Sequence, residues 1–249
     1  MTTEEALRVV PRTAGAGELF QLLRDGQPRT RAELAAVTGQ ARSTIAARID
    51  LLMASGLVAP AGATTSTGGR PPATFAFNPD ARVVLAVDLG ATHAHLAVTD
   101  LASTVLAELE APISIADGPD VILGWVAQAG EELVRSSGRS LDDLVSVGVG
   151  LPGPVEHSTG RPINPPIMPA WDDVDVPGVL STRLGASVLV DNDVNIMALG
   201  EHRTEWPGVS DLLFVKVATG IGAGIISDGA LRRGAQGAAG DIGHVAVSD

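Results

Sequence analysis

The stretch TRAELAAVTGQARSTIAARIDLLMASG, Thr30–Gly56, decides how the first part of the chain folds. Thr30 and Glu33 have the spacing of a capping box, in which each side chain satisfies an N–H left over at a helix start. Leu34 and Val37 supply the buried stripe of that helix, and Gly39 breaks it in a tight turn. A following helix is predicted over residues 42–54, with Ile45, Ile49 and Leu52 at helical spacing and Gly56 ending it. Helix, glycine-containing turn, helix is the layout of a helix-turn-helix motif. The face opposite the apolar stripe carries Arg42, Ser43, Thr44, Ala47 and Arg48, small or hydrogen-bonding residues where a recognition helix meets base edges. Together with Thr30 and Arg31 these are the candidate contacts to double-stranded DNA. The alternative is a small structural domain whose polar face is merely solvated.

Working outward, residues 17–25 read as a preceding helix with Leu19, Leu22 and Leu23 on one side and Gly26 as its stop. Downstream, residues 57–59 and 74–77 are short strand candidates. The loop between them is uncharged except for Arg70, in Gly68-Gly69-Arg70-Pro71. A hairpin after a recognition helix is a wing, and an extended Gly-Arg-Pro arm suits a minor groove. An ordinary interdomain linker would look similar. The expected division is a winged helix-turn-helix domain over 1–78 and a second, α/β domain over 79–249.

The charge supports that division. The 249 residues carry a net charge of −12, yet residues 1–72 hold eight arginines against six acids. The acidic excess therefore lies entirely in the second domain, and the two parts suit different partners. Apolar residues make up 45% of the chain, enough for a sizeable core, and aromatics only 3%. No long uncharged apolar run suggests a membrane span. The first residues lack a secretory pattern, and there are no cysteines. The cytoplasm is the expected location.

In the second domain, the apolar run at 83–87 reads as a buried strand delivering Asp88, Gly90 and Thr92 at its end. Gly90 permits a turn whose N–H groups face phosphate oxygens, Thr92 adds a hydroxyl, and Asp88 is placed to hold a metal ion or its water. Strands are expected over 94–98 and 105–109, a helix over 120–135, and a strand over 145–149 ending in a rigid turn to Pro154. A Pro-rich loop with Asn164 and Trp171 follows. A strand at 188–190 then presents Asp191-Asn192-Asp193-Val194-Asn195 before a helix over 196–202. Polar groups at a strand end and helix start sit where α/β folds place ligands, although one of the four would suffice to cap the helix. A strand at 212–217 leads into a second glycine-rich turn holding Thr219, Gly220 and Gly222. Gly234, Gly237 and Gly240 precede Asp241 and His244.

The order and spacing of these motifs resemble the ROK family of repressors and sugar kinases. That resemblance implies an actin-like ATPase (ribonuclease H-like) fold for the second domain. It further implies sugar contacts from Asn164, Asn192, Asp193, Asp241 and His244, with Asp193 as catalytic base in a kinase. Asp88, Gly90, Thr92, Thr219, Gly220 and Gly222 would form the phosphate site for ATP and magnesium. His244 would be a zinc ligand beside cysteines that lie further on in the family, so zinc is not expected here. The sequence departs from the kinase pattern at Ala91, His93, Ala218 and Asp241. It also stops at Asp249, before the family's cysteine cluster, so a C-terminally incomplete member is expected. The function expected from these features is a sugar-responsive repressor, a homodimer or homotetramer on a DNA operator. An ATP-dependent sugar kinase is the alternative, and a purely interacting fragment a third.

Overall fold

The computed structural model describes residues 15–63, 72–218, 220–235 and 237–244, without the side chains of Ala63 and His244. Arg70 and Thr219, two of the candidate site residues, lie outside the described residues. The chain divides into two compact units, Met1–Ala81 and Arg82–Asp249.

In the first unit, α1 (Ala16–Leu23), α2 (Arg31–Thr38) and α3 (Arg42–Ala54) accompany a small sheet. The Thr30–Glu33 capping box forms, and Gly39 closes α2 in the left-handed conformation at φ 68°, which glycine adopts without steric cost. α3 has the bounds that its apolar spacing predicts. β2 (Val58–Ala63) and β3 (Ala73–Phe77) pair antiparallel, and β1 (Arg29–Thr30) adds to the other edge of β3. β1 has no sequence signal, because two residues are too few for any alternation. The core is Leu19, Leu23, Leu34, Ile45, Ile49, Leu52, Val58 and Phe75, each worth about 1.5–3 kcal/mol on burial. Val37, expected in the stripe, is exposed.

In the second unit, β4 (Val83–Leu89), β5 (His93–Asp100) and β6 (Val105–Pro112) form an antiparallel meander. α4 (Pro119–Ser136) leads to β7 (Leu144–Leu151), which joins β4 in parallel. After a short hairpin of two-residue strands, β8 (Val155–Glu156) and β9 (Arg161–Pro162), the chain forms α5 (Val176–Leu184) and β10 (Ser187–Asn192). The mixed sheet runs β10-β7-β4-β5-β6. α6 (Asp193–Thr204) follows at once, then a second sheet of β11 (Leu212–Val217), β12 (Ile221–Ser227) and β13 (Ala230–Leu231).

Several strands are longer than their apolar runs. Asp88, Asp191 and Asn192 lie within strands, not beyond them. The main core of this unit is aliphatic, with Trp171 fully buried and its indole N–H donating to the Ile115 carbonyl at 3.0 Å. No helix among the described residues is long and apolar enough to cross a membrane.

Candidate functional site

The second unit contains a cavity of about 580 Å³. Its walls are the β4–β5 turn at 90–93, the turn after β7 at 152–154, the start of α6, the β11–β12 connection, and the segment 237–243. The candidate residues Gly90, Thr92, Asn192, Asp193, Gly220, Gly222 and Asp241 all line it. Motifs spread over some 150 positions of sequence are thus brought to one place. Asn164 is not among the lining residues. It is exposed, with φ 42°, and its backbone N–H donates to Asp172. That contact stabilises the loop, and it is Pro166 and Ile167, just after Asn164, that reach the cavity wall.

Asn192 is the N-cap of α6. Its Oδ1 accepts from the N–H groups of Val194 and Asn195 at 3.0 and 3.2 Å, while its Nδ2 donates to the Gly153 carbonyl at 3.1 Å. One side chain therefore caps the helix and fixes the 152–154 wall. Asp191 is buried and fully engaged, accepting from Asn195 Nδ2 at 2.9 Å and from Arg233 Nε at 2.7 Å, with His157 Nδ1 3.3 Å away. Asp193 stands at the first position of α6. Its Oδ1 accepts from the Val194 N–H, and its Oδ2 accepts from Lys216 Nζ at 2.6 Å.

Lys216 is a residue that motif reading misses. Two signals were available. It is the sole lysine in the chain, and it falls on the inward-facing side of β11, whose burial alternates with Leu213, Val215 and Val217 outward. Its charge also acts on Asp88. Burial pushes the Asp88 carboxyl above the ordinary carboxylate range, an effect that Lys216 opposes and Asp193 reinforces.

The glycines have packing tasks beside those their motifs suggest. Gly222 belongs to β12, and a Cβ there would come to 3.1 Å from Val194 on α6. Its small size serves the packing of helix on strand as well as the cavity wall. Gly240, at φ 92°, lies against the Ala223 carbonyl so closely that any side chain would collide with it. At the first turn, the Gly90 N–H donates to the His93 carbonyl at 2.8 Å, and the His93 imidazole lies directly over Gly90. At the second, the Ala218 N–H donates to Gly220 at 2.9 Å. Among the described residues, no group of three or more His, Asp or Glu side chains is placed to hold a metal ion. The magnesium–nucleotide that the resemblance implies would need the turn donors and an open carboxylate. Asp88, 36% exposed, is such a carboxylate, whereas the Gly90 N–H is already bonded within its own turn.

In the first unit, Arg42, Ser43, Thr44 and Ala47 lie exposed along one side of α3. Arg48 does not extend freely from it. Its guanidinium packs on Gly15 and bonds Gln40. Arg31 is ion-paired with Asp50 at 2.8 Å and stacks 4.5 Å from the Phe75 ring centroid. Thr30 is buried, its hydroxyl engaged by Glu33. These three side chains build the unit, leaving the N-terminal half of α3 as its polar display.

A family model described as ROK family matches residues 84–249. The chain is 30% identical over 230 residues to a putative xylose repressor of Caldicellulosiruptor sp. (strain Rt8B.4), covering 92% of this chain and 57% of that protein. It is 34% identical over 170 residues to a glucokinase of Halalkalibacterium halodurans, covering 67% of this chain and 50% of that protein. The chain thus spans roughly half the length of the relatives it matches. Its fold resembles that of a solved ROK family transcriptional regulator, a homolog of the E. coli MLC protein, with a TM-score of 0.78 at 23% identity over 94% of this chain and 59% of that one. A ROK family glucokinase from Streptomyces griseus, solved with glucose and AMPPNP, gives a TM-score of 0.60 at 28% identity, over 67% of this chain and 51% of that one. The family match covers all but the first two residues of the cavity-bearing unit and all of the motifs that line it, so the chain belongs to the ROK family.

Proposed function

We propose that this chain is the DNA-reading head and sugar-sensing body of a transcriptional repressor. The head is read as a winged helix-turn-helix, with β2 and β3 as the wing strands and α3 as the recognition helix. Arg42, Ser43, Thr44 and Ala47 are its base-facing residues, and Arg48, Arg31 and Thr30 hold that surface in shape. Arg70 remains the candidate minor-groove contact. In the body, Asp193, Asn192, Asp241 and His244 are the residues proposed to meet a sugar. A homodimer in the cytoplasm, with two heads on a two-fold operator, is the assembly this reading calls for. Sugar binding would alter the DNA affinity by reciprocal coupling between the two sites.

The observation that carries this reading is one of coverage. The similarity to the xylose repressor takes in 92% of the chain, and so includes the first unit, whereas the glucokinase match takes in 67%. A sugar kinase remains the second reading, supported by Asp193 at the start of α6 in a cavity bounded by both glycine turns. The test is selection from a random duplex library with the full chain. Enrichment of a defined sequence, lost in Arg42→Ala with Thr44→Ala, supports the repressor. No enrichment, together with sugar-dependent release of ADP from ATP, replaces it with the kinase.

A further inference from the structure

We propose that Lys216 is the cavity's built-in cation: its ammonium is the counter-ion that a divalent metal ion would otherwise supply to Asp193, so the cavity receives an uncharged, polyhydroxylated ligand without metal or nucleotide. The inference rests on the reading of this cavity as a sugar site.

The two carboxylates come from different elements, Asp88 from β4 and Asp193 from α6. Their side chains are 36% and 6% exposed. Asp193, the buried one of the two, needs a counter-ion, whereas Asp88 has His93 4.0 Å away. In phosphoryl-transfer sites that role falls to Mg²⁺, held by one or two carboxylates and several waters. Here the counter-ion is covalently part of the chain. Lys216 Nζ is 2.6 Å from Asp193 Oδ2, 24% exposed, and lines the cavity. The choice of residue is informative, since every other basic side chain that is not histidine is arginine. Arginine is a planar fork, whereas lysine is a compact point charge of the kind that stands in for an ion.

The chemistry follows. An ammonium has three donors, one of which goes to Asp193. A ligand hydroxyl entering beside the pair meets a donor and an acceptor together, the complement of an alcohol. The His93 imidazole lies over Gly90, whose N–H is already bonded to the His93 carbonyl and so is not offered to a phosphate.

The test is thermal melting of the full chain, with about 10 mM MgCl₂ or EDTA, for the natural protein, Lys216→Met, and Lys216→Met with Asp193→Asn. The natural protein is expected to melt at the same temperature in both. Lys216→Met should lose roughly 5 °C in EDTA and regain about 3 °C with Mg²⁺. The double variant should regain stability without the metal. If Lys216→Met does not fold, rescue by Asp193→Asn alone upholds the charge role. Equal loss in single and double variants, or Mg²⁺ stabilisation of the natural protein that Asp193→Asn abolishes, overturns it. A parallel titration with xylose, glucose and N-acetylglucosamine separates the two claims. Binding of none of them sinks the sugar site, while the metal arm still decides Lys216. Binding of one only in Mg²⁺ overturns the inference with the sugar site intact.

Discussion

Arg233 donates from Nε to Asp191 Oδ2 at 2.7 Å, tying the chain just before the 237–243 cavity wall to the strand that leads into Asn192 and Asp193. Asp191 is 7% exposed and Arg233 26%. Removing the cation leaves a buried carboxylate with fewer partners, at a cost of about 2–3 kcal/mol for a partly hydrated pair. Arg233→Met is therefore expected to lower the urea midpoint and to speed amide exchange across 237–243. Unchanged exchange there would mean that the wall is held by its backbone contacts alone.

Asn192 joins two functions that substitution can separate. Asn192→Ala removes the helix cap and the bond to Gly153, and is expected to cost about 1–2 kcal/mol. Asn192→Asp keeps an acceptor for Val194 and Asn195 but cannot donate to the Gly153 carbonyl. It should retain most of the cap's stability while weakening ligand binding, measured by urea unfolding and calorimetry.

Thr30 and Arg42 were both candidate DNA contacts, and they should behave differently. Thr30→Ala is expected to lose about 1 kcal/mol of stability with the capping box, and to bind DNA within twofold of the natural protein. Arg42→Ala should leave stability unchanged and weaken specific binding about tenfold. Equal losses of affinity would restore Thr30 as a contact.

Acid unfolding offers a test of one surface pair. Hydrogen bonding from Arg29 holds the Asp25 carboxyl down at about 2, below its ordinary value near 4. The folded state thus keeps the ionised form longer than the unfolded state does. The pair's contribution is present above pH 4 and is lost as the pH falls from about 4 to about 2. Asp25→Asn should flatten the stability profile in that window and nowhere above it.

Much of this arrangement was legible beforehand. The α3 bounds and the capping box at Thr30 are legible in spacing, because each depends on local chemistry, whereas the gathering of two glycine turns around Asp193 is implied only by the family resemblance. What escaped depends on tertiary context. α5 begins Val176-Pro177-Gly178, residues that look like a loop until Pro177 is seen in the first turn, where its missing N–H costs nothing. Asn164 sits in the right order but is not among the residues that line the cavity. Arg48 and Arg31 fit a basic surface by type, yet fold back onto Gly15 and onto Phe75 and Asp50. Lys216 was hidden inside an apolar strand, and only the pairing of β11 with β12 and the packing of α6 on both reveal what it meets.

The central claim is that one chain couples a DNA-reading helix to a sugar cavity. Fluorescence anisotropy of a library-enriched duplex, titrated with the full chain in the presence and absence of saturating sugar, tests it most directly. The expected result is a shift in DNA affinity of about fivefold or more that Asp193→Asn abolishes while its sugar-free DNA binding stays intact. DNA affinity that is unmoved by a sugar shown calorimetrically to occupy the cavity would contradict the account.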